Sequence, residues 1–146
     1  MNDQNNLSAK LYGTGWKFPP EFAVPEAEND SCLKMSAGTE NVAQSLSLIF
    51  QTQPGERIML PSWGGGLQSA MFGNIAEGTL SALQSQIAES VARYEPRAED
   101  VVVNVQEDST QHSTVNIVVT YRLSGQTRQV SGRLNLFDTS GAAWAM

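Results

Sequence analysis

An α+β fold is predicted for this chain: two main helices packed on a small antiparallel three-stranded sheet, with an extended N-terminal arm. Three observations carry the prediction. Apolar residues recur at helical spacing in two stretches, Glu40 to Thr52 and Thr79 to Tyr94. Residues from Val115 to Leu123 alternate apolar and polar, as a half-buried strand does. Ser124-Gly125-Gln126 then marks a hairpin leading into another β-rich run.

The chain has 146 residues, enough to bury a core without disulfides or metal. Residues 1–10 are polar, and 19–31 are rich in Pro, Glu, Asn and Asp, so 1–32 reads as arm and loop and 33–146 as the folded domain. Tyr12, Trp16, Phe18 and Phe22 are spaced among glycines and prolines in this first part. They are expected to lie against this domain or a neighbour, each ring contributing about 1.5–3 kcal/mol when fully buried. Gly13-Thr14-Gly15-Trp16 lacks both the lysine-plus-hydroxyl pair and the preceding strand of a phosphate loop.

In the first helix Val42, Leu46, Ile49 and Phe50 share one face, Thr39 is the expected N-cap with Glu40 at the positive end, and Pro54-Gly55 closes it. The apolar run Ile58-Met59-Leu60 follows between breakers, and then Gly64-Gly65-Gly66, which permits a sharp turn or a close backbone approach. Leu67 to Phe72 suits a short helical stretch closed by Gly73-Asn74. The second long helix carries Leu80, Leu83, Ile87 and Val91 on one face, and its stripe is too short for a freestanding coiled coil, so it should pack on the sheet.

Val101 to Val105 opens the sheet and Glu107 to Gln111 is the polar turn back. The second strand places Val115, Ile117, Val119, Tyr121 and Leu123 on one face. The third, Arg128 to Phe137, does the same with Val130, Gly132, Leu134 and Leu136. A three-stranded open sheet leaves two edges whose unpaired backbone groups can accept a strand from another chain.

A net charge of −6 and a pI near 4.6 argue against a nucleic-acid binder, which needs a surplus of Lys and Arg. No apolar stretch approaches a membrane span, and the N-terminus lacks the order of a signal peptide, so assembly in the cytoplasm is expected. The single Cys32 fits a reducing compartment and, in a polar loop with one histidine in the whole chain, makes a poor nucleophile. His112 has no second histidine or cysteine at ligand spacing, so neither a metal nor a cofactor is expected. No Gly-x-Ser-x-Gly elbow is present. A carboxylate pair could in principle cleave a glycoside, with Glu95 as the acid, but Arg97 two residues on suits a carboxylate and not a proton donor.

Glu95-Pro96-Arg97 stands where the second helix hands over to the sheet. Pro96 bars helix at the residue before it and offers no donor, so the corner is stiff and holds an acid and a base at fixed spacing. Such a corner serves either as a docking point or as an ordinary helix stop whose charges are solvated or paired with each other.

Four features in order, Gly13-Thr14-Gly15-Trp16-Lys17-Phe18-Pro19-Pro20, the helix followed by Thr52-Gln53-Pro54-Gly55-Glu56-Arg57, Leu60-Pro61 with its glycine loop, and Glu95-Pro96-Arg97 before the strands, resemble the gene-25-like (GPW-type) baseplate wedge family of contractile phage tails and injection systems. The glycine triplet after Trp63 and the tail Ala142 to Met146 depart from the expected pattern.

The resemblance implies a structural protein with no catalytic residues, no cofactor and no metal. Its expected partners are sheath subunits, other wedge proteins and the central hub or tube, with six copies per baseplate, no nucleic acid and no membrane insertion. It implies interface roles for Glu95, Pro96, Arg97, Arg57, Trp16 and Phe18, and a sheath-docking strand with Val115, Ile117, Val119 and Tyr121. The destination is a virion or an extracellular tail-like particle, and the alternative from another class is a tail-associated peptidoglycan-cleaving, lysozyme-like enzyme. On these expectations Arg97→Ala abolishes assembly while the isolated chain still folds, and prolines between Thr114 and Arg122 block sheath docking selectively.

Overall fold

The computed structural model describes residues 2–23, 32–67, 77–135 and 143–145, which fall into two compact units, Met1–Ser45 and Leu46–Met146. The dividing point lies within a helix.

In the first unit, helix α1 (Asn2–Tyr12) replaces the extended arm expected from the polar sequence. Leu7 and Leu11 are exposed and form no longer apolar stripe, so periodicity gave no helix signal there. Gly13, at φ 79°, ends α1 with its N–H on the Ala9 carbonyl at 2.8 Å. Strand β1 (Thr14–Trp16) pairs antiparallel with β4 (Met35–Ala37), and β2 (Phe22–Ala23) with β3 (Cys32–Leu33). Glu21 bridges Lys17 at 3.3 Å and Lys34 at 2.8 Å, which holds its carboxyl below the usual range, Lys34 contributing most. Both pairs are exposed and contribute little.

Helix α2 (Gly38–Gln51) runs from the first unit into the second. It runs from Gly38, one residue ahead of the expected Thr39 cap; Gly38 itself adopts φ 61°, and a Cβ there would stand 2.7 Å from the Ser8 hydroxyl oxygen, so this entry to the helix suits glycine. The expected stripe is buried: Val42 in the first unit, and Leu46, Ile49 and Phe50 in the second. Helix α3 (Glu77–Tyr94) buries Leu83, Ile87 and Val91, with Leu80 half-buried.

The sheet contains β5 (Glu99–Glu107), β6 (Thr114–Leu123), β7 (Gln126–Asn135) and β8 (Ala143–Ala145), antiparallel throughout and in that order. α3 packs along β5. The β6–β7 turn is a two-residue loop, Ser124-Gly125, with φ of 48° and 77°, the signature of the type I′ hairpin its sequence announces. Val115, Ile117, Val119, Tyr121 and Leu123 are all buried, as are Val130 and Leu134 opposite them. Leu136 and Phe137, and the stretch from 68 to 74, lie outside the described residues.

Two expectations about the sheet are corrected. It has four strands, because Ala143–Ala145 pairs with Ser131–Arg133 and covers that part of the β7 edge. Three residues carry no legible alternation, so the tail gave no strand signal. The strand expected to dock the sheath, β6, is interior: it is paired to β5 along one side and to β7 along the other. Its backbone groups are committed to two ladders and its Val115, Ile117, Val119 and Tyr121 side chains to the core, so no strand can be added there. Prolines between Thr114 and Arg122 would break the sheet itself.

The β5–β6 turn is fixed by Asp108, which the sequence reading passed over as part of a polar turn. Its carboxylate accepts from the Thr110 hydroxyl at 2.6 Å, the Thr110 N–H at 2.9 Å, Arg133 at 2.9 Å and Asn116 at 3.3 Å. These bonds, the Thr110 hydroxyl first, hold its pKa well below the ordinary carboxylate range. A depressed folded pKa contributes stability above the unfolded value near 3.8 and loses it as pH falls below. The wild-type advantage over Asp108→Asn in urea unfolding should therefore be full at pH 6 and shrink between about pH 4 and pH 2. An advantage that stays constant over that range would contradict the assignment.

Candidate interface at the helix-to-sheet corner

α3 ends with the Glu95 N–H on the Val91 carbonyl at 2.8 Å, and the Ala98 N–H on the Glu95 carbonyl at 3.1 Å closes a turn around Pro96. The two charges of the corner are not equally available. Glu95 is 1% exposed, and both its oxygens accept from the Arg97 guanidinium, Nε to Oε1 and Nη2 to Oε2, each at 2.5 Å. This is the bidentate fork that arginine makes and lysine does not. The bond to Glu95 raises the Arg97 pKa further above its ordinary value, with burial opposing. The corner is therefore an internal ion pair, and what it leaves exposed is Pro96 and about a third of Arg97. Burial pushes the Tyr121 phenol up, with Arg128 opposing and the Glu95 carboxylate adding to the effect.

Arg57, the other charged residue expected at the interface, is brought toward the corner by an aromatic relay. Its guanidinium lies 4.6 Å from the centre of the Trp63 ring, Trp63 packs on Tyr94 at 6.3 Å, and the Tyr94 hydroxyl donates to the Ser62 carbonyl at 2.6 Å. Trp63 and Tyr94 were missed because each reads as a lone aromatic in its own segment.

The glycine triplet explains how the loop from 52 to 67 sits so close. The Gly65 N–H reaches the Ile49 carbonyl at 2.7 Å, and the Gly64 carbonyl accepts from the Ser90 hydroxyl at 3.2 Å. The Ile58-Met59-Leu60 run forms turns, not core, and Ile58 and Met59 are 93% and 92% exposed. Apolar side chains held that far into water on a hydrogen-bonded loop are a candidate contact surface.

Trp16 and Phe18 belong to the first unit and form a separate surface there. The buried Gln44 clamps their backbone from both sides, donating to the Trp16 carbonyl at 2.8 Å and accepting from the Phe18 N–H at 2.9 Å. The rings are left 70% and 55% exposed, with Trp16 paired across the β1–β4 ladder with half-exposed Met35. Rings held outward by a buried amide fit a partner surface better than this chain's own core.

Among the described residues no group of His, Cys, Asp and Glu is arranged to hold a metal, and no helix is long and apolar enough to cross a membrane.

The family model described as baseplate wedge protein gp25 matches residues 36–128, more than half of the chain. The baseplate wedge protein gp25 of Enterobacteria phage T4 is 33% identical over 70 residues, 48% of this chain and 53% of that relative, so the alignment spans about half the relative's length. Among solved structures, the baseplate of the anti-feeding prophage, imaged by cryo-electron microscopy with six-fold symmetry, contains a chain 32% identical, with a TM-score of 0.64 and coverage of 92% of this chain and 94% of that one. A putative tail lysozyme from Geobacter sulfurreducens is 25% identical, with a TM-score of 0.63 over 72% of this chain and 96% of its own. A chain of the type VI secretion baseplate complex shares the fold at 19% identity, with a TM-score of 0.56 over 65% and 90%.

Proposed function

The chain belongs to the baseplate wedge protein gp25 family, and from that premise we propose that it is a structural baseplate component that joins the wedge to the sheath and templates the first sheath ring by strand addition. Six copies around the tube hold six sheet edges at fixed height and register. Each backbone bond added to an edge is worth only about 0.5–1.5 kcal/mol net. A ring of such edges multiplies that through effective concentration, so sheath growth starts at the baseplate and not in solution.

The observation that carries this reading is that β5, at one end of the sheet, has no partner strand on its outer side among the described residues. Wedge and hub contacts are made in the second unit by Pro96 and Arg97, by Arg57 on Trp63 and by the Ile58-Met59 tip, and in the first unit by the Trp16 and Phe18 rings. The particle would assemble in the cytoplasm and leave as part of a tail-like machine.

The lysozyme-like reading, which the putative tail lysozyme from Geobacter sulfurreducens raises, has the corner geometry against it. Glu95 is buried and both its oxygens are taken by Arg97, so a glycosidic oxygen has no access to that carboxyl.

The reading is tested by electron microscopy of particles assembled with and without this chain. Baseplates lacking it should carry no extended sheath while free sheath subunits remain soluble. Sheaths of normal length starting on such baseplates would overturn the reading. Ile58→Asp with Met59→Asp should leave thermal unfolding unchanged, since both side chains are in water, and should reduce incorporation into the wedge. Full incorporation would remove that tip from the interface.

A further inference from the structure

Arg57, Trp63, Tyr94 and Arg93 form one continuous stack in the second unit. The Arg57 guanidinium lies 4.6 Å from the centre of the Trp63 ring, that ring meets Tyr94 at 6.3 Å, and the Arg93 guanidinium lies 5.6 Å from the centre of the Tyr94 ring. Each ring thus carries one cation. Fastening the loop from 52 to 67 onto α3 does not need the arginines, because the ring contact and the Tyr94 hydroxyl on the Ser62 carbonyl already do it. The rings are half-buried and both arginines are exposed.

The chain treats these two cations differently from most of its others. Arg97, Arg122, Arg133, Lys17 and Lys34 are all paired with carboxylates. Arg57 and Arg93 have no acidic partner among the described residues, although Glu56 precedes the one and Glu89 stands a helical turn before the other. With 15 Asp and Glu against 9 Lys and Arg, carboxylates are not scarce. A guanidinium laid on a ring is held by its face, while the N–H donors along its edge stay open in the planar fork that matches a carboxylate. Beside Arg57 in sequence, Ile58 and Met59 add apolar surface that stands almost wholly in water.

Resting on the assignment of this face to wedge contacts above, we infer that Arg57 and Arg93 are a carboxylate receptor, which takes the Asp and Glu side chains of an acidic, partly apolar segment of a neighbouring wedge protein. Charge selects that occupant. A surface of net charge −6 repels an acidic segment except where its carboxylates meet guanidiniums free of other acids, so the two arginines fix where the segment lands. Nucleic acid is the less favourable occupant, because two arginines on an acidic chain neutralise too few phosphates.

The test measures binding of the purified full chain to wedge sub-assemblies isolated from cells that lack it, for wild type, Arg57→Gln, Arg93→Gln, the double variant and Arg128→Gln. Arg128 is the control, being likewise exposed and bonded to an amide instead of a carboxylate. Each single variant should bind about tenfold more weakly and the double about a hundredfold, with the control at wild-type affinity. Wild-type binding should weaken as NaCl rises from about 0.05 to 0.5 M, and that of the double variant should respond less. In Arg57→Lys, a zero-length carbodiimide should join the new amine to an Asp or Glu of the wedge protein, a product that mass spectrometry locates. Should the glutamine variants unfold below the wild-type temperature, this cross-link decides alone, and its absence overturns the inference. Wild-type affinity and salt response in a folded double variant would overturn the inference and leave the wedge role standing. A cross-link to a second copy of this chain, or binding lost on nuclease treatment, would identify another occupant and equally overturn it. Failure of the wild-type chain to bind the sub-assembly would overturn the wedge contacts and this inference with them.

Discussion

Arg97→Ala is expected to cost the fold about 3–5 kcal/mol, because it strands a buried carboxylate. Glu95 is 1% exposed and both its oxygens rely on the one guanidinium. This differs from the expectation from sequence alone, in which the variant folds normally and fails only in assembly. The corner's structural and docking roles can still be separated. Glu95→Leu together with Arg97→Met replaces the ion pair by apolar groups of similar size, an exchange that is often neutral or stabilising elsewhere. Urea unfolding should show the single variant far below wild type and the double variant close to it. Particles carrying the double variant should still assemble poorly, since the exposed part of Arg97 is gone. Full assembly by a stable double variant would confine the corner to a folding role.

Gly64→Ala is the second large effect, at about 2–4 kcal/mol. Gly64 has φ 140°, a backbone region closed to other residues, and a Cβ would press into the Thr52 carbonyl oxygen and stand 2.9 Å from the Gln53 carbonyl carbon. Neither obstacle is the end of a flexible side chain. Gly55→Ala is the control: at φ 98° with open space around it, only the conformational term applies, about 1–2 kcal/mol. Thermal unfolding of the two variants should show Gly64→Ala as clearly the worse. Comparable losses would mean that the close approach of this loop to the end of α2 has little energetic weight.

The sequence was most legible where one physical rule acted alone. Val115 to Leu123 alternates because one face of β6 is core, and every apolar residue of that set is buried. Leu46, Ile49 and Phe50, and Leu83, Ile87 and Val91, follow helical spacing for the same reason. Ser124-Gly125 announced its turn because only such residues adopt φ above zero at both positions.

Legibility failed where placement depends on partners distant in sequence. β6 looked like an available strand because alternation records one buried face and says nothing of which edges are paired. Ala143–Ala145 is a strand because β7 offers it an edge. α1 is a helix without an apolar stripe. At the corner, Glu95-Pro96-Arg97 marked the end of the helix, but spacing could not tell that one charge lies inside.

Of all measurements, a cryo-electron microscopy structure of the assembled baseplate bearing its first sheath ring bears most directly on the central claim. A sheath strand hydrogen-bonded along the outer side of β5 is the predicted result. A β5 edge left in solvent while the sheath attaches elsewhere on the chain would contradict it.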